Sequence, residues 1–425
     1  MRKMTNIKDK LQKIDKDHLK LLVDIGTVAE KINLKVYLVG GMVRDILLGY
    51  ENLDIDIVVE NNASKLEEAL VKEFSNCELS AKHDRFHTAK IIFNTNGRKI
   101  PVDLASTRKE IYEHPAALPT VSISDLKNDL IRRDFTINAL AISIMPHDFG
   151  EVVDLFNGLD DLKDKKIRIL HDLSFIDDPT RMIRAVRFAV KLGFEIEPKT
   201  KGFLERAIGS GNFDNLIQKI RGDRVRIEIR YLLNLANIKN AADMFMNTKV
   251  YKLISTDLKF AAMDELWNVT KYIPGKHENL WLIYFALFMR DLDNEKKLNI
   301  MKNLQLSGNE ISIIEKGFEA YNSLIKSEKI DPVSVYRILH NLSKESLILI
   351  ESLAVNNEIL SYIQEYLEKT SKIKLEITGQ DLIAMGIKEG KQLGDILNKI
   401  LEIKINKPLM KKDTEIEEAK KLLKG

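Results

Sequence analysis

The stretch Val36-Tyr37-Leu38-Val39-Gly40-Gly41-Met42-Val43-Arg44-Asp45-Ile46-Leu47-Leu48-Gly49, followed closely by Asp54-Ile55-Asp56-Ile57-Val58-Val59, decides how this chain folds. Its first four residues form an apolar run rich in β-formers and read as a strand. Gly40-Gly41 ends that strand, Met42 to Leu48 reads as a short helix, and residues 55–59 read as a second strand. A strand that enters a helix through two glycines leaves bare backbone N–H groups at the positive end of the helix, an arrangement that suits a phosphate. A glycine pair alone serves an ordinary turn equally well. Asp54 and Asp56 add to the reading. Residues two apart in a strand share a face, so both carboxylates project together. Like charges held that close repel, and a divalent cation between them removes the difficulty. Oxygen-only ligands suit Mg²⁺, which binds one or two protein carboxylates together with substrate phosphates. The plainer alternative is a pair of solvated acids on a strand edge.

Working outward, Lys90-Ile91-Ile92-Phe93 and Ile100-Pro101-Val102-Asp103-Leu104 read as two further strands joined by a turn at Asn94-Thr95-Asn96-Gly97. If the strand of Asp103 lies beside that of Asp54 and Asp56, three carboxylates converge in a two-metal geometry. One ion then activates a hydroxyl nucleophile and both stabilise a transferring phosphoryl group. Otherwise Asp103 is an exposed strand residue. The region to about residue 150 is a mixed α/β unit. From Pro179 onward the periodicity is helical, broken at Gly209-Ser210-Gly211-Asn212, Pro274-Gly275, Ser307-Gly308 and Asp331-Pro332. The expected architecture is an α+β head, a mixed sheet with helices, followed by an all-α extension.

Composition narrows the class. The 425 residues are 44% hydrophobic and 30% charged, an ordinary globular balance, with 66 basic against 63 acidic side chains and a net charge of +3. This is far from a general nucleic-acid coat protein. The excess is local, however. Residues 1–150 carry 22 basic and 22 acidic side chains, whereas residues 181–230 carry 12 and 6, a difference of +6 suited to gripping a few phosphates. The single cysteine, Cys77, excludes an internal disulfide, and no Cys/His cluster has zinc-ligand spacing. No apolar run approaches the roughly 18 residues of a membrane span. The opening MRKMTNIKDKLQKIDKDHLK lacks the apolar core of a signal peptide. A reduced, cytoplasmic protein without a membrane is expected.

Two later clusters carry charge in ordered positions. In Ile131-Arg132-Arg133-Asp134-Phe135-Thr136-Ile137-Asn138-Ala139-Leu140, the adjacent arginines point to different sides. One can then reach a triphosphate while the other pairs with Asp134. Asn138 shares a face with Asp134 if the segment is helical. In Asp177-Asp178-Pro179-Thr180-Arg181-Met182-Ile183-Arg184-Ala185-Val186-Arg187-Phe188-Ala189, Asp178 and Pro179 read as an N-cap and first helical position. Arg181, Arg184 and Arg187 then share one broad helix face. A capped helix with solvated arginines is the bland reading of both clusters.

Together these motifs resemble the class II tRNA nucleotidyltransferases, the CCA-adding enzymes, and the related bacterial poly(A) polymerases of the polymerase-β nucleotidyltransferase superfamily. The family's glycine pair, Arg-Asp and Asp-x-Asp match Gly40, Gly41, Arg44, Asp45, Asp54 and Asp56, and its Arg-Arg-Asp-Phe-Thr-x-Asn-Ala matches residues 132–139 without a gap. Residues 154–162 resemble a connecting motif, residues 222–228 a later helical one, and residues 377–387 faintly resemble the tail. Two positions depart from the family pattern, Asp177 in the template motif and Asp223 in the later helix, where Glu is the commoner residue.

The resemblance implies a catalytic head over residues 1–150, a nucleotide-selecting helical neck over 151–235, a helical body over 236–345 and a tRNA-binding tail over 346–425. It implies catalytic Asp54, Asp56 and Asp103, with Mg²⁺ held by Asp54 and Asp56. Nucleotide contacts would come from Gly40, Gly41, Arg44, Arg132, Asp134, Asn138, Asp178, Arg181 and Arg184. Asp178 and Arg181 would select the base: cytosine and adenine both present an amine donor beside a ring-nitrogen acceptor, while guanine and uracil present the reverse and would leave buried charges unpaired. The substrates would be CTP, ATP and the 3′ acceptor end of tRNA. Residues 106–119 occupy the place of a flexible loop needed for the final A. The activity expected is CCA addition, with addition of A alone, and then poly(A) synthesis, as the alternatives.

Overall fold

In the computed structural model, which describes residues 5–83, 87–114, 116, 119–259, 269, 279–327, 330–354, 357–408 and 410–424, the opening stretch lies in the middle of an eight-stranded sheet. The strands of the first half of the chain are β1 (Thr5–Asn6), β2 (Val36–Val39), β3 (Ile55–Val59), β4 (Cys77–His83), β5 (Thr88–Thr95), β6 (Arg98–Ser106), β7 (Arg108–Ile111), β8 (Thr120–Ile123), β9 (Leu140–Ser143) and β10 (Glu151–Asp154). The sheet order is β1-β10-β9-β2-β3-β6-β5-β4, and β7 with β8 forms a separate antiparallel ribbon. The register aligns chemistry across three strands. Val39 lies opposite Asp56 on antiparallel β3, Asp56 opposite Asp103 on parallel β6, and Asp103 opposite Lys90 on antiparallel β5.

The helices of this half are α1 (Lys8–Leu11), α2 (Lys16–Lys31), α3 (Gly41–Leu48), α4 (Ala63–Glu73), α5 (Leu126–Ile131), α6 (Gly158–Lys163), α7 (Ser174–Asp177), α8 (Thr180–Leu192) and α9 (Pro198–Gly209). Side-chain caps start several of them. Asp15 accepts from the backbone of Asp17 and His18 at the head of α2, and Asn62 does the same for Ser64 and Lys65 at α4, satisfying orphan donors of the first turn. Helix α4 packs on β4, β5 and β6. On the face that carries Asp56, Val39 and Val58 close over Leu126 and Leu130 of α5 with Ala139 and Ala141. Alternation along β3 therefore places Ile55, Ile57 and Val59 on one side, and Asp56 with Val58 on the other.

The chain divides into two compact units, Met1–Ile220 with Asn240–Ile254, and Arg221–Lys239 with Ser255–Gly425. The expected head and the greater part of the expected neck fall in the first. The second is built from helices: α10 (Gly222–Leu233), then Leu280–Phe288, Asn294–Asn303, Gly308–Lys326, Pro332–Leu339, Lys344–Leu353, Asn357–Glu368, Gly379–Ala384, Lys391–Asn406 and Lys412–Lys424. Three start in capping boxes, at Ser307 with Glu310, Asp331 with Ser334 and Thr378 with Asp381. The breaks read at Ser307-Gly308 and Asp331-Pro332 are thus helix starts, and Pro274-Gly275 lies outside the described residues. The last of these helices share a small core of Ile377, Leu382, Ile387, Ile396, Ile400, Met410 and Ala419. No helix among the described residues is long and apolar enough to cross a membrane.

Candidate active site

Asp56 and Asp103 stand side by side on neighbouring strands and share a cleft of about 490 Å³ with Lys90, Arg132 and Arg133. Asp54 precedes β3 by one residue, its backbone N–H donating to Asn52 Oδ1 at 2.9 Å. Burial pushes the Asp56 carboxyl up to about 6, and the charges of Asp103 and Asp54 push in the same direction, against partial relief from Arg133 and Lys90. This is a carboxylate short of positive charge. Asp103 is turned to Lys90, whose ammonium lies 3.1 Å away. The expected convergence of three carboxylates is met only in part. The strands are adjacent, but among the described residues no three acidic, histidine or cysteine side chains are grouped as metal ligands. Lys90 takes up Asp103, and Asp54 sits outside the strand.

Gly40 shapes the nucleotide side of this row. Its φ of +78° is in the left-handed region, and a Cβ there would come 2.9 Å from Asp56 Oδ2. Gly41 starts α3, so the bare N–H groups of that helix open next to Asp56. Arg44, one turn on, is 3% exposed. Its Nε donates to Asp45 Oδ1 at 2.8 Å, its Nη2 lies 2.6 Å from the same oxygen, and its Nη1 donates to Asn138 Oδ1 at 2.7 Å. A direct grip on a triphosphate is not what this geometry offers, because the guanidinium is buried with all three nitrogens engaged. Arg44 braces the turn instead. Asn138 Nδ2 in turn donates to Asp134 Oδ1 at 3.0 Å, and Asp134 Oδ2 accepts from Arg184 Nε at 2.9 Å and Nη2 at 2.6 Å. A continuous chain of charged hydrogen bonds therefore runs from Arg184 on α8 to Arg44 on α3. Phe188 lies beneath it, with the Arg44, Arg184 and Arg187 guanidiniums 5.1, 5.4 and 4.3 Å from its ring centre.

The arginine doublet does not divide as expected. Both arginines pair with Asp129, Arg132 through Nε and Nη2 and Arg133 through Nη2, since they follow it by three and four positions at the end of one helix. Asp134 takes Arg184 as its partner. Burial alone would raise Asp129, yet the two guanidiniums and their hydrogen bonds hold its carboxyl below the usual carboxylate range. Arg132 Nη1 also reaches Glu110 on β7 at 3.1 Å. Arg133 lines the cleft of Asp56, and its buried Nε has no hydrogen-bond partner among the described residues. Lys90 is the site residue that sequence reasoning passed over, and Arg133 entered it only as one of a doublet without a nucleotide contact of its own. The spacing of Arg133 from Asp129 and the strand position of Lys90 were the available signals.

On α8, Arg181 is 5% exposed and donates to Ser174 Oγ at 2.7 Å and to the Arg132 carbonyl at 2.6 Å. Asp178 Oδ1 accepts from Thr180 N at 3.1 Å and Thr180 Oγ1 at 2.6 Å. It caps the helix, although the chain turns helical at Pro179 and Asp178 closes the short α7 before it. The segment expected as a flexible loop begins in the β7–β8 ribbon, where Arg108 opposes Ile123 and Ile111 opposes Thr120. Pro115, Ala117 and Leu118 of that segment lie outside the described residues. The connecting motif at 154–162 supports the site from below. Asp154 accepts from the N–H groups of Phe156, Gly158 and Leu159, and a Cβ on Gly158 would sit 2.4 Å from the Thr136 carbonyl. A second cavity of about 690 Å³, between α7 and α9, takes in none of the candidate site residues.

Residues 36–168 match the Poly A polymerase head domain family, and residues 274–419 match tRNA nucleotidyltransferase domain 2. The chain is 34% identical over 419 residues to the A-adding tRNA nucleotidyltransferase of Geobacter sulfurreducens, a match that covers 95% of this chain and 47% of that protein. The chain thus spans about half the length of that relative. It is 30% identical over 401 residues to the CCA-adding enzyme of Leuconostoc mesenteroides subsp. mesenteroides, covering 88% and 89% of the two chains. The solved Thermotoga maritima CCA-adding enzyme complexed with tRNA_CCA superposes with a TM-score of 0.80 at 31% identity, covering 100% of both chains.

Proposed function

The chain belongs to the tRNA nucleotidyltransferase family of CCA-adding and A-adding enzymes, and from that premise we propose that it adds C, C and then A to the 3′ end of tRNA, from CTP and ATP and without a nucleic-acid template, releasing pyrophosphate. The observation that carries this reading is the likeness over the full length of both chains to a CCA-adding enzyme complexed with tRNA_CCA. The side-by-side Asp56 and Asp103 next to the Gly40 turn support it chemically. The reduced single-cysteine chain suits a cytoplasmic setting.

Asp54 and Asp56 would hold Mg²⁺. The donor set is oxygen only, and Asp56 carries its charge at a cost that a cation would relieve. When bound, the ion would favour the deprotonated 3′-hydroxyl and stabilise charge on the α-phosphate. The chain's own residues do the rest. The Gly40-Gly41 turn and the start of α3 receive the triphosphate oxygens. Arg132 and Arg133 border the same cleft with their positive charge. Asp134 and Asn138 act from behind, by fixing Arg184 and Arg44. Asp178 and Arg181 read the base, each exchanging a bond it now makes, to Thr180 and to Ser174 or the Arg132 carbonyl, for one to the Watson–Crick edge. GTP and UTP would set a ring N–H against the buried Arg181 guanidinium and a carbonyl oxygen against the half-buried Asp178 carboxylate, donor to donor and acceptor to acceptor, which costs more than a missing contact.

The test offers four tRNA transcripts, ending at the discriminator base, at C, at CC and at CCA, each with one labelled nucleotide at a time. Stepwise C, C and A with no extension of the CCA end is expected. Addition of A alone is the second reading, favoured by the A-adding relative matched over 95% of this chain. Incorporation of A onto the CC end with no C onto the shorter ends would establish it, and a long tail on the CCA end would favour poly(A) synthesis. Asp54→Ala that still incorporates nucleotide would end the metal-carboxylate reading.

A further inference from the structure

We propose that Lys90 binds the phosphodiester of the acceptor's 3′-terminal nucleotide, an assignment that rests on the tRNA-extension reading above. The argument comes from the order of groups across the sheet. Gly40 sits against Asp56 from the β2 side, so the triphosphate approaches the acids from that side. In a phosphoryl transfer, the attacking and leaving oxygens lie roughly in line on opposite sides of the phosphorus. With the leaving pyrophosphate towards the β2 turn, the attacking hydroxyl enters from β6 and β5, across Asp103 and then Lys90.

An RNA strand presented by its 3′-hydroxyl brings one charged group close behind it, the phosphodiester of that same nucleotide. Asp56 and Asp103 would repel this anion. Lys90 continues their row in direct register and points into the same cleft. Its present partner does not explain it as a structural residue. The Lys90 and Asp103 side chains are 44% and 53% exposed, and an ion pair that open to water contributes little to folding. A compact ammonium on a flexible stem can leave Asp103 for a phosphate oxygen without moving the strand.

The test is a cycle between protein and RNA. Acceptors ending in CC are made with an ordinary terminal phosphodiester or with an uncharged methylphosphonate at that one linkage. A incorporation is measured for the wild-type chain, Lys90→Ala and Lys90→Arg. On the ordinary acceptor, Lys90→Ala should lower kcat/KM about tenfold, the scale of one charge-assisted hydrogen bond. The loss should fall on the KM for RNA, leaving the KM for ATP unmoved, and Lys90→Arg should keep most of the activity. The wild-type chain should lose a similar factor on the neutral linkage, where Lys90→Ala loses little more. Equal loss by Lys90→Ala on both acceptors, or a loss that falls on the KM for ATP, overturns the assignment. A wild-type chain that extends no CC-ending acceptor refutes the tRNA-extension reading instead. Equal ATP-induced thermal stabilisation of all three proteins confirms that the variants are folded.

Discussion

Two glycines with nearly the same backbone angle separate conformational need from site need. Gly40 has φ +78° and Gly49 φ +80°, but only Gly40 has a neighbour, Asp56 Oδ2, where a Cβ would go. Alanine at either should cost about 1–3 kcal/mol of stability for the left-handed backbone. Gly49→Ala should keep its incorporation rate, whereas Gly40→Ala should lose at least about tenfold, since a displacement worth ~1.4 kcal/mol in the transition state already does so. Chemical denaturation and single-turnover incorporation measure the two effects, and equal rates for both variants would detach Gly40 from the site. Asp56 supplies a pH test. Its carboxyl titrates at about 6 in the folded chain against an ordinary 3.8. Between those values the folded state keeps a proton that the unfolded state has lost, so Asp56 makes stability fall as pH rises through that window. In EDTA, Asp56→Asn should therefore be more stable than wild type at pH 7 by about 1–2 kcal/mol, a range already discounted for solvent screening. The gain should vanish below about pH 4, and with Mg²⁺ restored the variant should incorporate nucleotide at no pH. A gain that ignores pH would point to packing rather than charge.

Strand β2, helix α3 and strand β3 were legible because a short apolar run, a glycine break and period-two alternation each have one local cause. Strand β1, two residues long, and β10, whose residues are all half-buried, carry no such pattern and exist through their pairing. The same limit applied to the site. The Asp129 clamp on both arginines is local in sequence, yet the competing partner Asp134 stood next to them, and only the fold shows that Arg184, fifty residues on, takes it. That chain joins α8 to α3 and can be broken in the middle. Asp134 is buried, and although burial alone would raise its carboxyl, Arg184 and the hydrogen bonds around it hold it low. Its stabilisation is therefore complete above the ordinary carboxylate value of 3.8 and is lost as pH falls below it. Asp134→Ala leaves the Arg184 guanidinium without its carboxylate and should cost about 3–5 kcal/mol by urea denaturation at pH 7. The difference should shrink as pH falls below about 4, and a cost that persists undiminished there would mean that packing rather than charge holds these helices.

At the scale of the whole chain, composition misled first and then informed: a net +3 concealed a local +6 over residues 181–230. The two compact units were not legible, because the boundary at Ile220 and the return of residues 240–254 to the first unit depend on packing between distant segments. Two units with separate cores predict separable damage. In the second, Glu415 is 0% exposed. It accepts from the backbone N–H groups of Glu376 and Ile377 at 2.8 Å and pairs with buried Lys404. It thereby ties the last helix to the entry of the small core around Leu382 and Ile400. Glu415→Gln keeps the shape, but it removes the charge opposite Lys404, and breaking such a buried pair costs about 3–5 kcal/mol. That core is small, so the loss should appear as local opening, with faster amide exchange through residues 376–424 and unchanged exchange in β2, β3 and β6. If the tail holds tRNA, the KM for tRNA rises while the KM for ATP and the ATP-induced thermal shift stay at their wild-type values. A proportionate rise in both KM values would instead mean that the second unit supports the nucleotide site directly.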